Sequence, residues 1–224
     1  MQPNPKNQLS WSTAGSVEKN LPVLTGAHSK VINTHKPASV LELASGFGDH
    51  VLAYAREHPT VTFRATECDE YLVSKLSEKI NEASLPNVLQ PTKLDVLNKQ
   101  DWARLSETNR QPFDMITVTN LVNVAPWAVT EALFETIGTS PGQVLERSKG
   151  VLCLYAALKK GGAFQSEADA KFDATLRART PEFGLRDFDD IVAMAEAQGL
   201  KLISEEALGG GTNLFLQFQF VSTS

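Results

Sequence analysis

The run Ser39-Val40-Leu41-Glu42-Leu43-Ala44-Ser45-Gly46-Phe47-Gly48-Asp49-His50 limits what this chain can fold into more than any other stretch. It reads as a short apolar strand carrying one acid, then a turn of small residues with two glycines, then the start of a helix. Glycine lacks a Cβ and tolerates positive φ, so such a turn lets backbone N–H groups come close to a ligand. In open α/β sheets, ligands bind outside the carboxyl ends of the strands, where a turn of this kind sits.

The rest of the chain continues the alternation of strand and helix. Over Gly15–Thr34, Val17, Leu21, Leu24, Val31 and Ile32 recur at helical spacing, with Ser16 placed to cap; Pro22 inside the pattern predicts a start or a kink there. Val40–Leu43 reads as a strand, Asp49–Glu57 as a helix, Val61–Glu67 as a β-branched strand and Glu70–Ala83 as a helix. Val88–Leu94 is a third strand, whose Pro91 predicts an exposed or irregular start. A short helix over Trp102–Glu107, a central strand over Phe113–Thr119, a helix over Ala128–Ile137 and a strand over Gly150–Ala157 follow. After the solvated turn Lys159-Lys160-Gly161-Gly162 come helices at Ser166–Ala178 and Phe188–Gln198, the latter closed by Gly199. The last strands, Lys201–Leu208 and Leu214–Phe220, flank Gly209-Gly210-Gly211.

Such alternation argues a doubly wound parallel sheet with helices on both faces. The final two strands are joined by too few residues for a crossover, so they form an antiparallel hairpin and bring the sheet to seven strands. Residues 1–14 read as a flexible lead-in and 15–224 as a single domain, with the 138–149 loop and the 159–187 excursion near the substrate side.

A chain of 224 residues with 42% hydrophobic content suits one packed globular domain. No apolar run is long enough to span a bilayer, and Met1-Gln2-Pro3-Asn4-Pro5-Lys6 lacks the apolar core of a secretion signal, so a cytoplasmic protein is expected. Cys68 and Cys153 fall at or near strands and read as buried free thiols, with no spacing that suggests zinc or any other metal. The formal charge of −5 argues against broad nucleic-acid binding. The expected partner is a small-molecule substrate, with neither nucleic acid nor membrane, for a monomer or homodimer.

One acid precedes the glycine turn and two follow it, in an informative order. Glu67 ends the second strand about 20 residues after Gly48, where a nucleotide-binding sheet places a carboxylate for ribose hydroxyls. Asp95 follows the third strand, and Glu42 lies inside the first. Alone, Glu67 reads equally as a solvated strand end and Asp95 as a turn or cap residue. Glu42 is harder to set aside, because an acid in an apolar strand is costly to bury without a partner. A dinucleotide fingerprint would need a third glycine, but Asp49, His50 and Val51 follow Gly48, and an acid at 49 would repel a pyrophosphate.

The glycine turn resembles the first motif of class I S-adenosylmethionine (SAM) methyltransferases, hydrophobic-hydrophobic-Glu/Asp-hydrophobic-Gly-x-Gly-x-Gly, with Ala44 where many of them have the first glycine. From Glu18 to Phe220 the chain also resembles the methyltransferase-like twenty-six family, a former domain of unknown function. The matching stretches are Asn20-Leu21-Pro22-Val23-Leu24, Leu41 to His50, Asn120-Leu121-Val122-Asn123-Val124-Ala125-Pro126-Trp127, Ser166 to Asp173, Leu176 to Asp187 and Asn213-Leu214. The resemblance implies a Rossmann-like class I methyltransferase fold and SAM as cofactor, leaving S-adenosylhomocysteine as product. It implies cofactor contacts at Asn20, Glu42, Ala44, Ser45, Gly46, Gly48, Glu67, Cys68, Asp95, Val96 and Asn120, with Glu42 toward the methionine ammonium and Asp95 toward the adenine amino group. A sulfonium cation without phosphate suits a site lined by Glu42, Asp49, Glu67 and Asp95. Three positions depart from the family: Asn123 replaces a usual His, Ala156-Ala157-Leu158 replaces Gly-Pro-Phe, and Asp169 replaces Asn. The cofactor half is thus kept and the substrate half altered.

Methyl transfer is an in-line attack in which positioning supplies much of the effect. A base is needed only where the nucleophile must lose a proton. His50 is placed to be that base, or to be a helix-start residue touching the cofactor. Asn120 and Tyr155, at strand ends, and Asn123, on the loop after Asn120, are the other catalytic candidates. Trp127 walls a substrate or packs at a helix start. Asn123, Trp127, Tyr155, Asn213 and the cations Arg177, Arg179 and Arg186 make up the substrate candidates. The arginines suit a carboxylated substrate or form salt bridges with Asp173, Glu182, Asp187 and Asp189. The expected function is SAM-dependent O- or N-methylation of a small molecule, for example in secondary metabolism. The alternatives are a non-methylating cyclisation or rearrangement on the same fold, and an inactive binding protein.

Overall fold

The computed structural model describes residues 16–139, 144–209 and 212–221. The lead-in at 1–14, Pro141 and Gly142 of the loop, and Gly210 and Gly211 of the last turn lie outside the described residues. The chain divides into two compact units, 1–105 and 106–224.

In the first unit, α1 (Ser16–His35), β1 (Ser39–Leu43), α2 (Asp49–Glu57), β2 (Thr62–Glu67), α3 (Glu70–Ala83) and β3 (Val88–Lys93) alternate as expected. The strands run parallel, β1 beside β2 and β2 beside β3. Their core is apolar: Leu41, Leu43, Val51, Leu52, Phe63, Ala65, Leu76 and Ile80 are all buried. Pro91 lies where the β2–β3 register slips between Leu89 and Thr92. A proline has no N–H to give a ladder, so it sits at this bulge on the strand that only β2 pairs with in this unit.

Two helices differ from expectation. α1 starts at Ser16 and runs through Pro22, so Pro22 is not its start. Burial of Leu24, Ala27, Val31 and Ile32 outweighs the one lost helical hydrogen bond. α4 spans Lys99–Asn109 and not just Trp102–Glu107. The missed signal is Asn98, whose Oδ1 accepts the Gln100 N–H at 3.0 Å and so caps the helix three residues earlier.

The second unit holds β4 (Met115–Thr119), a 3₁₀ turn (Leu121–Asn123), α5 (Trp127–Thr139), β5 (Val151–Lys159), α6 (Glu167–Arg179), β6 (Arg186–Asp187), α7 (Phe188–Ala197), β7 (Leu200–Ala207) and β8 (Asn213–Phe220). β4 and β5 are parallel, whereas β8 runs antiparallel to both β5 and β7. This is the expected C-terminal antiparallel pair. β5 is buried through eight of its nine residues, as a strand covered on both faces must be. The two-residue β6, which pairs with the end of β5, carries no periodicity and was not expected. Cys153 is buried in β5 as anticipated, but Cys68 is exposed just beyond β2. The strand ends at Glu67, so Cys68 falls outside the buried ladder. Among the described residues, no helix is long and apolar enough to cross a membrane.

Candidate functional site

In the first unit the turn after β1 is tied to the end of β2. Ser45 N–H donates to Thr66 O at 2.8 Å, and Thr66 Oγ1 donates to Glu42 O at 2.9 Å. Gly46 N–H donates to Glu67 Oε2 at 3.0 Å, while Cys68 N–H donates to Glu67 Oε1 at 2.8 Å. The buried Glu67 carboxylate therefore grips the turn through one oxygen and its own strand end through the other. Six candidates (Glu42, Ser45, Gly46, Gly48, Glu67 and Cys68) are joined by such bonds, Gly48 through its N–H to Ser45 O at 2.9 Å.

The glycines have different reasons. Gly46 has a φ of 56° and open space where a Cβ would stand, so its face is accessible to a ligand. Gly48 has a φ of 81°, and a Cβ there would meet Leu76 Cδ1 of α3 at 2.4 Å, so packing also demands it. Ala44, in the position of the absent first glycine, still takes the left-handed conformation, at φ 53°.

Glu42 is 2% exposed, and among the described residues its Oε2 has no hydrogen-bond partner. Burial pushes its carboxyl up to about 8; hydrogen bonds from Ser45 and the Val51 N–H oppose the rise, and the negative Asp49 and Glu67 add to it. A buried carboxyl oxygen without a donor is an unfilled valence that a cationic or N–H-bearing ligand can complete.

His50 is the second residue of α2. Burial lowers its pKa, against the pull of Asp49, so the ring is neutral at pH 7, and Nε2 lacks a partner among the described residues. Tyr54, one helical turn on, stacks on His50 at 6.2 Å and on His28 of α1 at 4.2 Å between ring centroids. His28 bonds Leu24 O through Nδ1 at 2.8 Å, and burial takes its pKa down to about 3, with the Leu24 hydrogen bond opposing. The sequence reading missed this three-ring column; the i, i+4 spacing of His50 and Tyr54 was its one local signal.

Asp49 pairs with Lys79 at 2.5 Å on the α2–α3 surface, so part of its charge is countered there, although it still raises the Glu42 carboxyl. Asp95 is exposed and forms a local turn: its Oδ1 accepts the Leu97 N–H at 3.0 Å, and its own N–H donates to Asp101 Oδ2. Val96 is buried, its carbonyl taken by Trp102 Nε1, and Asn20 is half-buried on α1.

In the second unit, Asn120 ends β4 in the left-handed conformation (φ 59°), which asparagine tolerates better than most residues. Its N–H donates to Tyr155 O at 2.7 Å. Asn123 is fully buried and donates both amide hydrogens, to Ala157 O at 3.0 Å and Gly184 O at 3.4 Å. That fixes the amide's orientation and leaves Oδ1 without a partner among the described residues. Tyr155 OH accepts from Asn213 Nδ2 at 2.8 Å, and burial holds the phenol above its usual range despite that bond.

Arg177 and Arg186 have protein partners, the former in an expected salt bridge. Arg177 Nε pairs with Asp173 at 2.7 Å. Arg186 gives its guanidinium to the carbonyls of Val122, Ala125 and Glu182 and lies over the Trp127 ring at 5.7 Å. Both serve the 181–186 segment, and Arg179 is exposed near the end of α6. Thr119, Asp169 and Thr212, which no spacing marked, join this neighbourhood. Among the described residues, no group of three or more His, Cys, Asp or Glu is placed to hold a metal ion.

A family model described as a protein of unknown function (DUF938) matches residues 12–219. The chain belongs to that family. Solved structures then identify its fold. An O-methyltransferase family protein from Burkholderia thailandensis matches with a TM-score of 0.69 at 15% identity, over 90% of this chain and 58% of that one. Mitomycin 7-O-methyltransferase MmcR gives 0.71 at 14%, over 93% and 55%. Human N-acetylserotonin methyltransferase, solved in complex with SAM, gives 0.69 at 10%, over 93% and 53%. The DUF938 chain thus spans 53–58% of the length of these three proteins and has the class I methyltransferase fold.

Proposed function

We propose that this DUF938 chain is a SAM-dependent methyltransferase that modifies an oxygen or nitrogen of a small molecule. The observation that carries the reading is Glu42: an acid buried in β1, short of a donor, beside a turn whose Gly46 face is open. The residues fit the cofactor. Glu42 would receive the methionine ammonium and Glu67 the ribose hydroxyls, since a carboxylate that already accepts one N–H per oxygen keeps further lone pairs. Ala44, Ser45, Gly46 and Gly48 would bring backbone against it, with Asn20, Cys68, Asp95 and Val96 as the remaining contacts. When bound, SAM supplies a methyl group activated by its sulfonium.

The chain's own residues would do three things. Glu42, protonated at neutral pH, would give up its proton as a cation settles beside it. Neutral His50, with Nε2 buried and open to a donor, would take the proton that an alcohol or amine nucleophile loses. Asn123 has no basic group and both its hydrogens are committed, so it holds the β4–α5 connection and leaves proton transfer to His50. The small-molecule reading draws support from the mitomycin and N-acetylserotonin enzymes of the same fold, and a secondary-metabolic, cytoplasmic setting extends it.

Calorimetry with SAM and S-adenosylhomocysteine tests the proposal. Micromolar binding is expected, with nearly one proton released per SAM near pH 7, read from runs in buffers of different ionisation enthalpy. Failure of both compounds to bind below the millimolar range would reject it and leave a binding protein on this fold. Binding without methyl transfer to any candidate metabolite would favour a non-methylating reaction.

A further inference from the structure

In the second unit, several elements bring unpaired oxygens into one neighbourhood. Thr119 of β4 pairs in register with Tyr155 of β5, and Tyr155 with Phe215 of β8; two residues on, Ala157 pairs with Asn213. The period-two alternation of strands puts these residues on one face of the sheet. Asn123 is anchored to Ala157 O, and Asn213 to Tyr155 OH. Thr212, next in sequence to Asn213, donates its hydroxyl to Asp169 Oδ1 at 2.6 Å. Thr119 Oγ1, Asn123 Oδ1 and Asp169 Oδ2 are all buried, and among the described residues none has a hydrogen-bond partner.

Two of these three atoms are one-sided, whereas the Thr119 hydroxyl can donate as well as accept. An amide oxygen and a carboxylate oxygen only accept. Asn123 is 0% and Asp169 6% exposed, so water does not readily complete them. Asp173, one turn along α6, shows what a completed acid looks like here: its oxygens take the Leu185 N–H and Arg177 Nε, each at 2.7 Å. Asp169 pairs with no lysine or arginine among the described residues. Meanwhile Arg177 and Arg186, the cations that would attract an acid, are bonded to the protein.

We infer that this neighbourhood is a subsite for a positively charged, N–H-bearing group of the substrate, such as a primary amine or an amidinium, with Asp169 as its counter-ion and Asn123 Oδ1 as a second acceptor. It rests on the methyltransferase reading only in calling the ligand a substrate. A charge-assisted N–H to a carboxylate is the strongest bond these oxygens can make, and an anionic group would meet repulsion instead.

The test uses the full chain, ¹⁵N-labelled and without SAM, titrated with phenethylamine, phenethyl alcohol and phenylacetate to tens of millimolar. Phenethylamine is expected to shift the amide signals of Ser166, Asp169, Thr212 and Asn213, with the alcohol about tenfold weaker and phenylacetate without effect. Asp169→Asn, nearly isosteric, and Asp169→Ser are each expected to cost at least about tenfold in amine affinity while the rest of the spectrum stays native. Equal or tighter binding of phenylacetate, full amine affinity in both variants, or no shift of these signals with any probe overturns the inference. No step uses SAM or turnover, so the result stands apart from the outcome of the calorimetry.

Discussion

Ala44 is held at φ 53°, where a Cβ costs about 1–2 kcal/mol. Ala44→Gly removes that strain and gives back part of it as chain entropy, so a gain of about 0.5–1 kcal/mol is expected in urea unfolding. Two buried titratable groups bend the stability curve in opposite senses. Glu42 is raised from 4.5 to about 8 on folding, so between those values the native state holds a proton the unfolded chain has lost. Stability therefore falls as pH climbs through that window and levels off above it. His28 is lowered from 6.5 to about 3, so the unfolded chain takes up a proton first, and stability falls as pH drops through that range. Urea midpoints measured against pH should show a smaller alkaline-going fall in Glu42→Gln and a smaller acid-going fall in His28→Phe, where the lowered His50 still contributes. His50→Ala is expected to reduce turnover more than SAM affinity; equal losses would make His50 a binding residue only.

At the scale of elements, the α2–α3 contact depends on Gly48. A methyl group there would run into Leu76 Cδ1 at 2.4 Å in a backbone already at φ 81°, so Gly48→Ala is expected to cost about 1–3 kcal/mol, read by chemical denaturation. Gly46→Arg meets no atom within 4 Å and bears only the strain of a side chain at φ 56°, so it keeps more stability and is expected to lose SAM binding, which calorimetry separates from unfolding. The same contrast explains what the sequence made legible. Helices α2 and α3 were readable to the residue because their apolar spacing is local. The start of α4 was lost because one asparagine cap sits outside its apolar pattern. The candidate site divides likewise. Glu42 to Gly48 is one contiguous motif, and Glu67 is placed by strand spacing. The Asp169–Thr212 and Asn123–Gly184 bonds join residues 43 and 61 positions apart, and no periodicity announces such pairs. The Arg177–Asp173 ion pair was one of the readings, but the partners of Arg186 are backbone carbonyls, which a sequence never displays as a pattern.

For the molecule as a whole, the fold and its likeness to O-methyltransferases set a thermodynamic expectation. A ligand that binds only the native state stabilises it by about 2.7 kcal/mol at a hundred times its Kd. For a chain of 224 residues that corresponds to a rise in Tm of roughly 5–10 °C with saturating SAM, measurable by scanning calorimetry. No such rise is expected in Gly46→Arg. The column of His28, Tyr54 and His50 has an optical and magnetic side as well. Aromatic faces shield nuclei lying over them, so the imidazole C–H resonances of both histidines are expected upfield of ordinary values. The chain has only four histidines, and two of them are expected to carry this ring-current signature. A one-dimensional proton spectrum recorded across pH can therefore watch His50 gain or lose its proton with no label added.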